Sequence, residues 1–226
     1  MALLVVSLSF LAPGPWRWLI LGLAVVMVAF VLFFFRDPHR MPPRAALDGT
    51  AVVAPADGKV VLVGPVDHEP LYLKGPAKQV SIFLSPLDVH VNRSPSNGVV
   101  EFDRYVSGDY LVAWHPKASE KNERSQLGIR SEGGVRILFK QIAGKVARRI
   151  VYHVRVGDTL RAGERFGIVK FGSRMDVLMP PEVEVTVEPG DRVMAGETII
   201  ARIPVEDAGF EAASPESSTL LEADGE

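Results

Sequence analysis

The chain has 226 residues, enough for one ordinary domain together with an anchor and a tail. Its 25 basic and 27 acidic residues nearly cancel, so no positive field is offered to nucleic acid. The absence of cysteine excludes disulfides, thiol catalysis and cysteine-rich metal sites, while 17 prolines and 20 glycines among short apolar runs point to a turn-rich β domain.

Residues 16–35 form an apolar run broken only by Arg17, long enough to cross a bilayer as a helix. Residues 2–11 are apolar but short, and Pro13-Gly14-Pro15 separates the two runs, so one span and a hairpin both stay open. No basic segment precedes the run and no small-x-small site follows Phe35, which favours an anchor over residues 1–36 rather than a removed signal peptide. Arg36, Arg40 and Arg44 follow the run, against Arg17 alone near its start. That bias places the next domain, residues 37–204, on the cytoplasmic side of the plasma membrane.

In that domain, residues 50–53 and 59–63 read as short strands around the turn Pro55-Ala56-Asp57-Gly58. Asp57 fits an ordinary Asp-Gly turn and is also a candidate for catalysis. Residues 79–84 read as a strand that Pro86 ends, leaving Asp88 and His90 on an irregular segment. If that segment is extended, both side chains project to one side and the carboxylate can orient the imidazole, an acid and base suited to neutral pH. A surface pair without a task is the plain alternative, and histidines 39, 68, 115 and 153 offer no metal-ligand spacing. Residues 99–110 again read as β. Residues 117–130 are polar, with Ser119 as a cap and Asn122-Glu123-Arg124 as a solvated charged loop. Residues 135–139 and 146–151 read as strands joined through Ala143-Gly144.

A repeat follows: Gly157-Asp158-Thr159-Leu160-Arg161-Ala162-Gly163-Glu164 returns as Gly190-Asp191-Arg192-Val193-Met194-Ala195-Gly196-Glu197. Such turns belong to barrel-sandwich hybrids, the fold of lipoyl and biotinyl carriers. The expected fold is therefore mainly β, barrel-sandwich-hybrid-like, with few short helices behind an N-terminal transmembrane helix. A membrane-tethered carrier or adaptor module is the rival function, with Lys170 near a hairpin tip, although the flanks of a modified lysine are missing.

Between the two copies lies Gly172-Ser173. Glycine leaves its carbonyl unshielded, and Ser173 Oγ can attack that carbonyl, its own preceding peptide. Elimination and hydrolysis would then leave a pyruvoyl group at residue 173, an electrophilic cofactor made from the chain. Most Gly-Ser pairs are simple turns, and context decides between the readings. Residues 205–226 carry seven acidic and no basic residues and read as a disordered acidic tail.

Phe34-Phe35-Arg36-Asp37-Pro38, Pro55-Ala56-Asp57-Gly58-Lys59, Leu84-Ser85-Pro86-Leu87-Asp88-Val89-His90-Val91-Asn92, Asn122-Glu123-Arg124 and Phe171-Gly172-Ser173-Arg174 occur in one order. Together they resemble the short bacterial and archaeal form of phosphatidylserine decarboxylase, over about residues 34–204. The resemblance implies a proenzyme cut at Gly172-Ser173 into 1–172 and 173–226, which stay together as a heterodimer; a higher oligomer is left open. It implies a pyruvoyl cofactor from Ser173, a Schiff base with the substrate amine, and phosphatidylserine in the membrane as substrate, with phosphatidylethanolamine as product. Asp57 would belong to the self-processing machinery, and His90 is the candidate acid. Longer relatives carry a second histidine where this chain has Arg93, so the division of work among Asp57, Asp88, His90 and Arg93 stays open.

Overall fold

A computed structural model describes residues 14–111, 118–145, 149–169 and 173–204. The first element, α1 (Pro15–Phe34), begins with proline, whose missing N–H costs nothing at a first turn. Its twenty residues span about 30 Å, the thickness of a bilayer core. Only Ala24 and Phe34 of this helix are buried, so its length is lined with exposed apolar side chains. Residues 2–11, the other half of a hairpin, lie outside the described residues.

Beyond a linker and the short α2 (Arg44–Leu47), the chain is mainly β and curls into a half-barrel. The strands are β1 (Ala51–Val53), β2 (Gly58–Glu69), β3 (Gly75–Leu84), β4 (Val91–Arg93) and β5 (Gly98–Val106). After the single turn α3 (Ala118–Lys121) come β6 (Arg124–Arg130), β7 (Arg136–Ile142), β8 (Ile150–Tyr152), β9 (Thr159–Leu160) and β10 (Arg165–Val169). Last are β11 (Ser173–Met179), β12 (Glu184–Val185), β13 (Arg192–Val193) and β14 (Ile199–Arg202). The large sheet runs β13-β2-β3-β11-β7-β6-β5-β9, and two small sheets, β1-β14-β12 and β4-β10-β8, close over it. Val52 and Ile200 of one small sheet and Phe166 of the other meet Val80, Ile82, Leu127, Ile137, Phe139, Met175 and Val177 of the large sheet in one core. The two strands read on either side of Asp57 do not form a hairpin: β1 pairs with β14, and β2 with β3 and β13.

The order of the large sheet reads the same from either edge once strands are exchanged in pairs, and the registers agree. Val53 N–H donates to Pro95 O (2.8 Å) and Arg93 N–H donates to Pro55 O (2.9 Å), a reciprocal contact on a pseudo-two-fold axis. Around it, β1-β14 and β4-β10 carry the same bulge. The two repeated turns sit equivalently: Gly190 N–H donates to Val60 O and Gly157 N–H to Val100 O, both at 2.8 Å. Gly58 and Gly98 are both demanded by packing, because a Cβ would stand 2.2 Å from Phe83 O and 2.4 Å from Arg130 O. The repeat seen in sequence is thus the visible part of a duplicated half.

Candidate active site

Ser173 is the first residue of β11, the strand that lies between β3 and β7 in the middle of the large sheet. It is paired with Leu84 and fully buried, and its Oγ has no hydrogen-bond partner among the described residues. Residues 170–172, which include Gly172 of the expected cleavage site and Lys170 of the carrier reading, lie outside the described residues. Strand alternation sends Met175, Val177 and Met179 into the core on one face. On the other, Arg174 Nε donates to Asp176 Oδ1 at 2.6 Å, its Nη2 to Ser81 Oγ at 2.8 Å, and Ser119 Oγ to Asp176 Oδ2 at 2.7 Å. This buried ion pair fixes the strand from behind.

His90 lies six residues beyond Leu84. The intervening segment is irregular, as expected, and folds into a tight turn rather than staying extended, because the Ser85 N–H donates to Asp88 Oδ2 at 2.7 Å. Asp88 Oδ1 takes Arg192 Nη1 at 3.1 Å, so its carboxylate does not orient the imidazole. The Asp88 backbone carbonyl does, 2.8 Å from His90 Nδ1. A carbonyl only accepts, so Nδ1 carries the proton and Nε2 is the basic nitrogen of the neutral ring. Nε2 is buried and unpartnered among the described residues. Burial holds the imidazole below its ordinary pKa, partly opposed by the Asp88 carbonyl and carboxylate. The ring lies against Phe34, the last residue of α1, with centroids 4.0 Å apart.

Asp57 Oδ1 accepts the Ala195 N–H at 2.8 Å and its Oδ2 accepts Arg40 Nη2 at 2.7 Å. Burial outweighs both contacts and raises its pKa above the usual carboxylate value. Arg40 also reaches Glu197 at 2.9 Å. Arg93, at the second-histidine position, is occupied elsewhere: Nη2 meets Asp37 Oδ1 at 2.7 Å and Pro38 O at 3.0 Å, and Nη1 meets Gly163 O at 3.0 Å. It ties the linker after α1 to the barrel.

The pseudo-two-fold relates Asp57 to Asn97, His90 to Thr50 and Ser173 to Val135. Asn97, Thr50 and Val135 all line one cleft of about 920 Å³ at the other end of the sheet. By the same relation Asp57, His90 and Ser173 occupy the equivalent positions at their own end, where all three are ionisable or nucleophilic. Ser173 Oγ and His90 Nε2 are two of eight buried side-chain atoms without a hydrogen-bond partner among the described residues, and such an atom costs about 1–3 kcal/mol.

Three contributors are not apparent from residue pattern alone. Phe34 reads as lipid-facing helix, and Arg36 and Arg40 read as topology signals. Asn122-Glu123-Arg124 is no solvated loop: Asn122 is fully buried, its Nδ2 donating to Leu111 O at 2.8 Å and Ala143 O at 2.7 Å while Oδ1 accepts Leu111 N–H at 2.9 Å. Arg124 opens β6. The strand expected over residues 146–151 begins at Ile150, with residues 146–148 outside those described.

A half-barrel with a buried hydroxyl and a buried basic imidazole, set against the end of an apolar helix, is the equipment of an acid–base enzyme. A family model described as phosphatidylserine decarboxylase matches residues 27–201. The chain belongs to the phosphatidylserine decarboxylase family, whose members are carboxy-lyases. It is similar to a phosphatidylserine decarboxylase proenzyme of Salinibacter ruber, 61% identical over 86% of this chain and 85% of that one. Proenzymes of the same name from Symbiobacterium thermophilum (49% identical, 83% and 86% covered) and Chlorobium phaeobacteroides (43%, 88% and 91%) are similar along the same length.

Proposed function

We propose that this chain is a proenzyme that cuts itself between Gly172 and Ser173 and then converts phosphatidylserine to phosphatidylethanolamine at the membrane. The observation that carries the reading is the pair of buried atoms without a hydrogen-bond partner among the described residues, Ser173 Oγ and His90 Nε2. His90 Nε2 takes the hydroxyl proton as Oγ adds to the Gly172 carbonyl. The Gly172–Ser173 C–N bond breaks, the freed amine takes a proton, and an ester remains. Loss of the residue 173 α-proton with cleavage of the Cβ–O bond releases Gly172 as a carboxylate and leaves a dehydroalanine. Its tautomer, an imine, adds water, loses ammonia and becomes the pyruvoyl ketone. Asp57 is assigned to this first stage, as a buried carboxylate of the same end.

The residues fit the group. A pyruvoyl keeps the three-carbon frame of Ser173, so the buried site needs no repacking, and the hydroxyl it replaces has no hydrogen-bond partner among the described residues. Once formed, it supplies an electron sink for the pair released when CO2 leaves the substrate. In turnover His90 Nε2 holds the proton that the decarboxylated carbon receives. Arg36, Arg40 and Arg44 after α1 support a cytoplasmic position for this end at the plasma membrane, with the long helix as the anchor of residues 37–204, and the acidic tail has no assigned part.

Intact-mass and denaturing-gel analysis of the wild type beside Ser173→Ala tests the reading. Two chains in the wild type, the shorter starting with a ketone-bearing residue 173, and one uncut chain in the variant are expected. An active wild type that remains one chain overturns the self-processing mechanism.

A further inference from the structure

Phe34 differs from the rest of its helix. Leu32, Phe33 and Phe35 are 70%, 43% and 42% exposed, whereas Phe34 is fully buried against the His90 ring, 34° from parallel. Arg36 makes a second connection at the same place. Its Nη2 donates to Leu87 O at 2.7 Å, its Nη1 to Phe33 O at 2.8 Å, and its guanidinium lies 3.9 Å from the Phe33 ring centroid. The helix end thus holds the segment that carries His90 at two points, Leu87 and His90. Asp37 and Arg40 extend the grip to Arg93, Arg165, Asp57 and Glu197. At the twin end no residue of α1 lines the cleft, and Thr50 replaces the histidine.

We propose that the end of α1 is a working part of the site: Phe34 is a positioning residue that holds the His90 imidazole in the orientation its proton transfers require. The site is then complete only with the membrane helix docked, and the helix does more than recruit the enzyme to lipid. This rests on the reading of His90 as the proton carrier. The Asp88 carbonyl fixes one nitrogen of the ring, but a single hydrogen bond leaves the ring free to tilt about it. The flat face of Phe34 removes that freedom, and displacement of a reacting group by about 1 Å can cost on the order of a hundredfold in rate.

The test uses the full-length enzyme in detergent with water-soluble dihexanoyl phosphatidylserine, for which recruitment to a bilayer is irrelevant. Rates are expressed per ketone-bearing chain, so that slower processing is not counted as slower turnover. Phe34→Ala is expected to lower kcat about tenfold to a hundredfold with KM changed less than about threefold. Phe34→Leu, which keeps volume but not the flat face, falls in between. Phe34→Tyr restores most of kcat, and Leu32→Ala on the exposed side matches the wild type. A Phe34→Ala enzyme with undiminished kcat on the soluble lipid overturns the proposal, even if its activity on vesicles drops. Should Phe34→Ala fail to accumulate as processed enzyme, equal kcat for Phe34→Leu and Phe34→Tyr overturns it instead. His90→Gln, run in parallel, separates the two levels: full processing and turnover without the imidazole would sink the role of His90 itself.

Discussion

Asp57 and its twin Asn97 make the same backbone bond, to Ala195 N–H and Ala162 N–H, both at 2.8 Å. They differ in what faces the second atom. Asn97 Nδ2 donates to Leu47 O at 2.6 Å and Ala46 O at 3.3 Å, whereas Asp57 Oδ2 receives Arg40. Asp57→Asn therefore keeps the turn and loses only the charge. The amide presents a donor to Arg40, a cost of about 1–3 kcal/mol. Against this, burial already disfavours the Asp57 carboxylate, and Arg40 keeps Glu197. The net loss of stability at neutral pH is expected not to exceed about 2 kcal/mol, while self-cleavage slows by about a hundredfold or more. Asn97→Asp reverses the pattern: a carboxylate 2.6 Å from a carbonyl oxygen destabilises by about 2–4 kcal/mol. It leaves processing per folded molecule unchanged. Urea unfolding in a Ser173→Ala background reads the stabilities, and a time-resolved denaturing gel reads cleavage. The reasoning is refuted if Asp57→Asn processes at the wild-type rate, or if it unfolds as readily as Asn97→Asp.

His90 is held below its ordinary pKa of 6.5 by burial, so the fold favours the neutral ring. Its contribution to stability is present above 6.5 and is lost as pH falls from there through the lowered folded value. Urea midpoints of uncut Ser173→Ala protein should drop across that window, and His90→Gln should flatten the drop. Arg93→His, which recreates the second histidine of the longer relatives, breaks the contacts to Asp37, Pro38 and Gly163. It should cost about 3 kcal/mol in unfolding experiments and slow cleavage rather than speed it; faster cleavage would show that Arg93 is a substitute for the link. Asn122→Ala leaves Leu111 and Ala143 backbone groups unpaired and should lower stability by about 2–4 kcal/mol, whereas a change below about 0.5 kcal/mol would return Asn122 to the role of surface residue.

What was legible in the sequence was local or repeated. The apolar period-free run gave α1, the pattern of residues 79–84 gave the second half of β3, and the Gly-Asp repeat announced the barrel. The pairing partners were not legible. Nothing in residues 50–63 says that β1 seeks a strand about 150 residues on, since that choice is made by the shared core of Val52 and Ile200. The conditional Asp88–His90 relation does not hold for a similar reason: a backbone N–H at Ser85 takes the carboxylate, and the irregular segment after Pro86 is a turn rather than extended. Phe34 was hidden because an aromatic at a helix end looks the same whether it meets lipid or imidazole. Asp57, by contrast, was only a candidate by its turn and was strengthened by the resemblance, because the equivalent turn is equally well served by asparagine at position 97.

The place of β11 has a consequence for the life of the molecule. It is bonded along β3 from Ser173 to Met179 and along β7 from Arg174 to Leu178, and the residues after it supply β12, β13 and β14 to two different sheets. Under the proposed cut before residue 173, the shorter chain would be a strand donated to the interior of a sheet, with no sheet of its own. The folded halves would remain interlocked, but refolding would become a bimolecular event between two fragments that never folded separately. Synthesis as one chain supplies the effective concentration, and the proposed cut would remove it. Such an enzyme would fold reversibly only before processing; afterwards its persistence would be a matter of unfolding rate rather than equilibrium.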